Sequence, residues 1–161
     1  MAQIDGSKLQ VIDPDRMPGW RGNLLEHLMR LDPEARRLRF MGAVGPGGIA
    51  AHVARASPLA LVVHAPDGLW RGCAELHPGD SPDSAEIAVS VEGAWQNRGI
   101  GAALTAEAGR QARRLGRSDI RLTCLRHNTP MMQIARHLSA RAVPLADWAL
   151  ALFRLEMPDP S

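Results

Sequence analysis

The 161 residues predict a mixed α/β domain, and three stretches carry that reading. LALVVHA (59–65) and LWRGCAELH (69–77) flank Asp67-Gly68, a residue pair suited to a tight hairpin turn. AEIAVSV (85–91) alternates like a strand and runs through the glycine-rich QNRGIGA (96–102) into a segment of helical period. IRLTCLRH (120–127) is a further strand, followed at Asn128-Thr129-Pro130 by a helix start. Strands and helices interleaved in this way make a sheet wrapped by a few helices.

The remaining elements follow in order. LQVID (9–13) is a short strand stopped by Pro14, and helices span about 20–31 and 33–40, the second opened by an Asp32 cap and Pro33. Gly42 to Gly48 reads as a loop, because no strand precedes Gly45-Pro46-Gly47-Gly48 and Pro46 lacks an N–H; a short helix follows at 48–56. PGDSPDS (78–84) is a polar loop before the strand at 85–92. The helix at about 100–115 has Ile100, Leu104, Ala108, Ala112 and Leu115 on one face and stops at Gly116. The helix after Thr129 carries Met131, Ile134 and Leu138 as its apolar stripe, and WALALFRLEM (148–157) is a final strand.

Composition excludes several classes. Apolar and charged fractions are those of a soluble globular chain, with no repeat or linker, so residues 1–161 read as one domain able to bury about 70% of its unfolded surface. No apolar run approaches a membrane span, and MAQIDGSKLQ lacks the apolar core of a secretory leader, which points to a cytoplasmic protein without membrane partners. A formal charge of +2 gives no reason to expect nucleic acid. Cys73 and Cys124 read as reduced core thiols. The six histidines show no H-x₃-H or H-E-x-x-H spacing, so no metal site is expected. Tyrosine is absent altogether.

The strand, glycine turn and helix start at 85–104 suit a phosphate. Turn amides converge there, and the first helical turn adds free N–H donors and the positive end of the dipole. The GxxxxGK[ST] phosphate loop is excluded because the sole lysine is Lys8. The dinucleotide GxGxxG pattern fails because Leu104 stands where its third small residue belongs. What remains is Gln96-x-x-Gly99-x-Gly101-Ala102, where two residues without Cβ let diphosphate oxygens approach the backbone and Arg98 is placed to pair with a phosphate.

That stretch resembles the acetyl-CoA diphosphate motif, Q/R-x-x-G-x-G/A, of the GNAT family of N-acetyltransferases. Residues 59–140 follow the family's order of elements, including the Asn-led helix NTPMMQIARHLSA, and 1–58 match in length and helix count. The resemblance implies an α/β (α+β) fold whose mixed, mostly antiparallel sheet of about six or seven strands is splayed at the cofactor, with about four helices. It implies acetyl-CoA along Val89 and Val91, its diphosphate on Asn97, Arg98, Gly99, Ile100, Gly101 and Ala102, and Gln96, Asn128 and Met131 completing the channel. A backbone N–H near Ser90 or Val91 would stabilise the oxyanion.

Acyl transfer to an amine must first remove a proton. An amine of pKa about 10.4 is neutral in about one molecule in 2,500 at pH 7, a cost near 4.6 kcal/mol. Glu86, inside the apolar alternation Ala85, Ile87, Ala88, Val89, reads as partly buried and fit to be that base. AEIAVSV and the N-x-PM start of NTPMMQIARHL are similar to bacterial protein-lysine acetyltransferases, whose catalytic glutamate takes the second place of such a strand. Glu75 reads as a solvated or salt-bridged side chain.

The tyrosine with which many members protonate the departing thiolate is replaced by Ala135, which leaves His127, His137, Ser139 or water as substitutes. Trp20, Arg36, Arg37 and Trp148 are candidates for the acceptor mouth. The expected activity is direct acetyl transfer from acetyl-CoA to a primary amine, a protein lysine or a small molecule, by a monomer or homodimer. A non-catalytic acyl-CoA-binding regulator and an interaction module with an empty turn are the alternatives.

Overall fold

The computed structural model describes residues 9–160; MAQIDGSK and Ser161 lie outside the described residues, and with them most of the segment read for a leader. In chain order the elements are β1 (Leu9–Ile12), α1 (Trp20–Arg30), α2 (Pro33–Phe40), α3 (Pro46–Arg55), β2 (Ala60–His64), β3 (Gly72–Pro78), β4 (Ser84–Val91), α4 (Ile100–Arg114), β5 (Asp119–Leu125), α5 (Thr129–His137), β6 (Arg141–Val143) and β7 (Leu150–Leu155). The seven strands form one sheet in the order β1-β2-β3-β4-β5-β7-β6. Every neighbouring pair is antiparallel except β4 with β5.

Helices cover both faces. Ile100, Leu104, Ala108 and Ala112 of α4 and Ala135 of α5 pack on Val62, Ala74, Leu76, Ala85 and Ile87. On the other side, Trp20, Leu24 and Leu28 of α1 and Ile49 and Val53 of α3 pack on Leu61, Val63 and Cys73. β2 feeds both cores from alternate residues, so all five of its residues are buried and LALVVHA reads as an unbroken apolar run. Both cysteines are free and buried, and burial pushes their thiols up, which suits packing rather than nucleophilic chemistry.

Three details differ from expectation. Pro46, Gly47 and Gly48 form the first turn of α3 rather than a loop; proline is at home there because a first-turn N–H has no intrahelical acceptor. The five α-helices among the described residues are the five segments read from the sequence, one more than the family resemblance implied. Leu115 is the C-terminal cap of α4 and is exposed, so the apolar stripe of that helix ends at Ala112.

Candidate active site

β4 and β5 are paired only at Ser84–Asp119, Ala85–Ile120 and Glu86–Arg121. Beyond Glu86 the strands part, and β5 continues alongside β7. This leaves one edge of β4 open from Ile87 to Val91. Which backbone groups face that edge follows from the ladder on the other side. Ser84 accepts from the Gly79 N–H at 3.1 Å and the Glu92 N–H donates to the Arg71 carbonyl at 2.9 Å, so even-numbered positions carry the bonds to β3. Antiparallel pairing alternates. The N–H and C=O of Val89 and Val91 therefore turn into the splay, and the Val91 carbonyl accepts there from Gln96 Nε2 at 2.9 Å. Of the two positions expected at the oxyanion, Ser90 spends its N–H on β3 and Val91 does not.

The chain leaves β4 through a 3-10 turn at Gly93–Trp95 and reaches α4 through two left-handed residues, Asn97 (φ 62°) and Gly99 (φ 79°). Gly99 occupies the N-cap with no side-chain cap bond, so the free first-turn N–H groups of α4 are left for another acceptor. On the far wall Asn128 caps α5, its Oδ1 accepting from the Met131 N–H at 3.1 Å.

A cleft of about 200 Å³ opens between these elements. Of the residues predicted for the cofactor, Val89, Val91, Gln96, Asn97, Gly99, Ile100, Gly101, Ala102, Asn128 and Met131 line it. Arg98 does not: it donates to the Ala94 carbonyl at 3.0 Å and its guanidinium lies 5.0 Å from the Trp95 ring centroid. Sequence reasoning missed Leu31, Ala35, Leu38 and Arg39, the wall contributed by the end of α1 and by α2, along with Trp95, and it named Ser90 only for its backbone N–H. The spacing of 35, 38 and 39 on a helix was the available signal for that wall. Arg36 and Arg37 turn elsewhere, to the Met29 carbonyl and to Glu34 and His127; Trp20 is core and Trp148 is exposed.

Two buried carboxylates stand on the sheet face under α1, α2 and α3. Glu75 is fully buried, with Arg39 Nη2 at 2.6 Å from Oε2 and His52 Nε2 and His77 Nε2 at 2.8 and 3.2 Å from Oε1. Burial alone would raise its carboxyl, but the Arg39 charge and the two histidine bonds outweigh that and hold it well below the usual carboxylate range. It is therefore salt-bridged, as one reading had it, but not solvated. His52, Glu75 and His77 lie close enough to share a cation, a grouping that sequence spacing could not show. The Arg39 guanidinium already neutralises this carboxylate, which opposes a second positive charge there.

Glu92, also buried, accepts from His27 Nδ1 at 3.0 Å, Arg30 Nε at 3.1 Å and Arg71 Nη1 at 2.9 Å. Burial works to raise it, and bonds from His27, Arg30 and Arg71 lower it on balance. His27 Nε2 lies 2.8 Å from Ser90 Oγ.

Glu86 is exposed, not partly buried, and does not line the cleft. Its apolar neighbours Ala85 and Ile87 point to the opposite face and pack under α4, so the alternation that suggested burial belongs to the other side of the sheet. In register Glu86 stands between His77 on β3 and Arg121 on β5. His127, His137 and Ser139 also lie outside the lining, and Ala135 is buried in the core.

Residues 24–139 match the Acetyltransferase (GNAT) family. No curated protein matches the chain in sequence. Among solved structures, the GNAT domain of S. lividans PAT superposes with a TM-score of 0.77 at 18% identity, covering 92% of this chain and 89% of that one. An acetyltransferase (GNAT family) from Bacillus anthracis gives 0.70 at 13%, with 95% and 97% covered. The yncA protein of Salmonella typhimurium, solved with its cofactor acetyl-CoA, gives 0.64 at 15%, with 95% of each covered. Those likenesses are of fold alone. The match over 24–139 goes further: the chain belongs to the acetyltransferase (GNAT) family, N-acetyltransferases whose co-substrate is acetyl-CoA.

Proposed function

We propose that the chain moves the acetyl group of acetyl-CoA directly to a primary amine, a protein lysine or a small-molecule amine. The observation that carries this reading is the open edge of β4 running into the uncapped start of α4. Asn97 to Ala102 present the amides for the diphosphate, where the helix dipole adds about 0.3–1 kcal/mol. The pantetheine arm then lies along Val91 and Val89, with Asn128 and Met131 on the opposite wall. The N–H of Val89 or Val91 meets the thioester oxygen as it gains charge. The amine enters from the side of Leu31, Ala35 and Leu38.

Glu86 is the base of this proposal. It lies on the same sheet face as Ser90 and three residues, about 10 Å, from Val89 along the strand. At that reach it takes the amine proton through water rather than by contact. Exposure keeps such a water chain supplied.

Titration calorimetry with acetyl-CoA tests the binding half; absence of heat would overturn every CoA reading. Thiol release from acetyl-CoA, followed against a panel of small amines and lysine peptides, tests the activity. Glu86→Gln is expected to lower kcat by about 10²-fold or more, with KM for acetyl-CoA unchanged. Unchanged turnover in that variant would remove Glu86 from the mechanism.

A further inference from the structure

Ser90, His27 and Glu92 form a hydroxyl–imidazole–carboxylate array whose hydroxyl end is at the cleft. Ser90 lines the cleft, its Oγ is 2.8 Å from His27 Nε2, and His27 Nδ1 is 3.0 Å from Glu92 Oε2. The carboxylate can only accept, so the neutral ring carries its proton on Nδ1 and Nε2 accepts from the Ser90 O–H. His27 is fully buried, and both ring nitrogens are taken. A proton reaching or leaving Nε2 therefore passes through Ser90.

We propose that Ser90, positioned by His27 and Glu92, shuttles the proton from the attacking amine nitrogen to the departing CoA sulfur. This rests on the acetyl-transfer reading above. The neutral amine attacks the thioester carbon, and the new N–C bond leaves a positive charge on nitrogen. Ser90 Oγ takes that proton as its own O–H proton passes to His27 Nε2, where Glu92 opposes the new charge. The C–S bond then breaks with its electron pair on sulfur. His27 returns its proton to Ser90 Oγ, whose other proton goes to the thiolate, and the array ends as it began. The chain holds no tyrosine for the last step. A covalent acetyl-serine is disfavoured because Ser90, the next-to-last residue of β4, is not on the sharp strand-to-helix turn that presents a nucleophile.

The test needs no acceptor. With free CoA bound, the thiol is titrated by thiolate absorbance in the wild type, Ser90→Ala, Ser90→Thr and His27→Gln, after calorimetry has shown that each binds CoA. The shuttle predicts that the wild-type bound thiol ionises below free CoA. Ser90→Ala and His27→Gln should each move it up by about one unit, and Ser90→Thr, which keeps the hydroxyl, should stay near wild type. Identical titrations in the wild type and Ser90→Ala would overturn the proposal. So would a gain of one acetyl group on Ser90 in the intact-protein mass after incubation with acetyl-CoA alone. Loss of CoA binding by the wild type would instead overturn the acetyl-transfer reading on which the shuttle rests.

Discussion

Arg39 joins the cleft to the charge buried behind it: the residue lines the opening, and its Nη2 lies 2.6 Å from Glu75 Oε2. Both side chains are withdrawn from solvent, Arg39 at 9% exposure and Glu75 at 0%. Removing one member of a buried pair costs about 3–5 kcal/mol, because the other charge stays behind unpaired. Arg39→Ala is thus expected to lose stability on that scale, less whatever His52 and His77 retain through their bonds to Oε1. Urea denaturation measures it. A double variant with Glu75→Gln should recover part of the loss, and recovery of none would show that Arg39 acts through packing alone.

The same carboxylate sets an acid limit. Glu75 is held well below its ordinary value of 4.5, and Glu92 is lowered as well. A carboxyl depressed by folding contributes stability that is complete above its unfolded pKa and drains away as pH falls towards the folded value. Stability should therefore be flat with respect to these two groups above about pH 5 and fall steadily below about 4.5. Glu75→Gln should flatten part of that slope in urea midpoints taken across the acid range. A slope identical to wild type would mean that the pair is absent in solution.

How much of this was legible in the chain depended on sequence distance. The cofactor side lies within 89–102 and at 128 and 131, where one strand, one turn and two helix starts are read by local rules. The buried polar side is not local: Arg39 and Glu75 are 36 residues apart and His27 and Glu92 are 65 apart. No spacing pattern reports such pairs. Glu75 was ambiguous for a second reason, since β3 is buried on both faces from Gly72 to Leu76 and shows no alternation to place a carboxylate. Glu86 misled through a real alternation read onto the wrong face. β6 was missed because three residues are too few to show a period.

Two glycines of the turn separate strain from space. Gly99 sits at φ 79°, where a Cβ meets the backbone, so Gly99→Ala should cost about 1–2 kcal/mol of stability and loosen the amide cradle. Gly101 has no such strain. A Cβ there would lie 2.9 Å from Ile134 Cδ1, the movable end of a side chain that itself lines the cleft. Gly101→Ala should therefore leave thermal stability nearly unchanged while weakening acetyl-CoA several-fold in calorimetry. If both variants bound acetyl-CoA like wild type, the diphosphate would not rest on this turn.

Asn128 has two duties that a pair of substitutions can divide. Its Oδ1 caps α5 through the Met131 N–H, and the residue also lines the cleft. Asn128→Ala removes both, with an expected stability loss of about 1 kcal/mol. Asn128→Asp keeps the cap, because a carboxylate accepts the same N–H and favours the positive end of the helix. It also places a negative charge on the wall facing the proposed pantetheine channel and takes away an amide donor. Unfolding midpoints should rank Asp near wild type and Ala below it, whereas acetyl-CoA affinity should fall in both. Wild-type affinity in Asn128→Asp would reduce Asn128 to a helix cap and move the pantetheine contact elsewhere on the cleft wall.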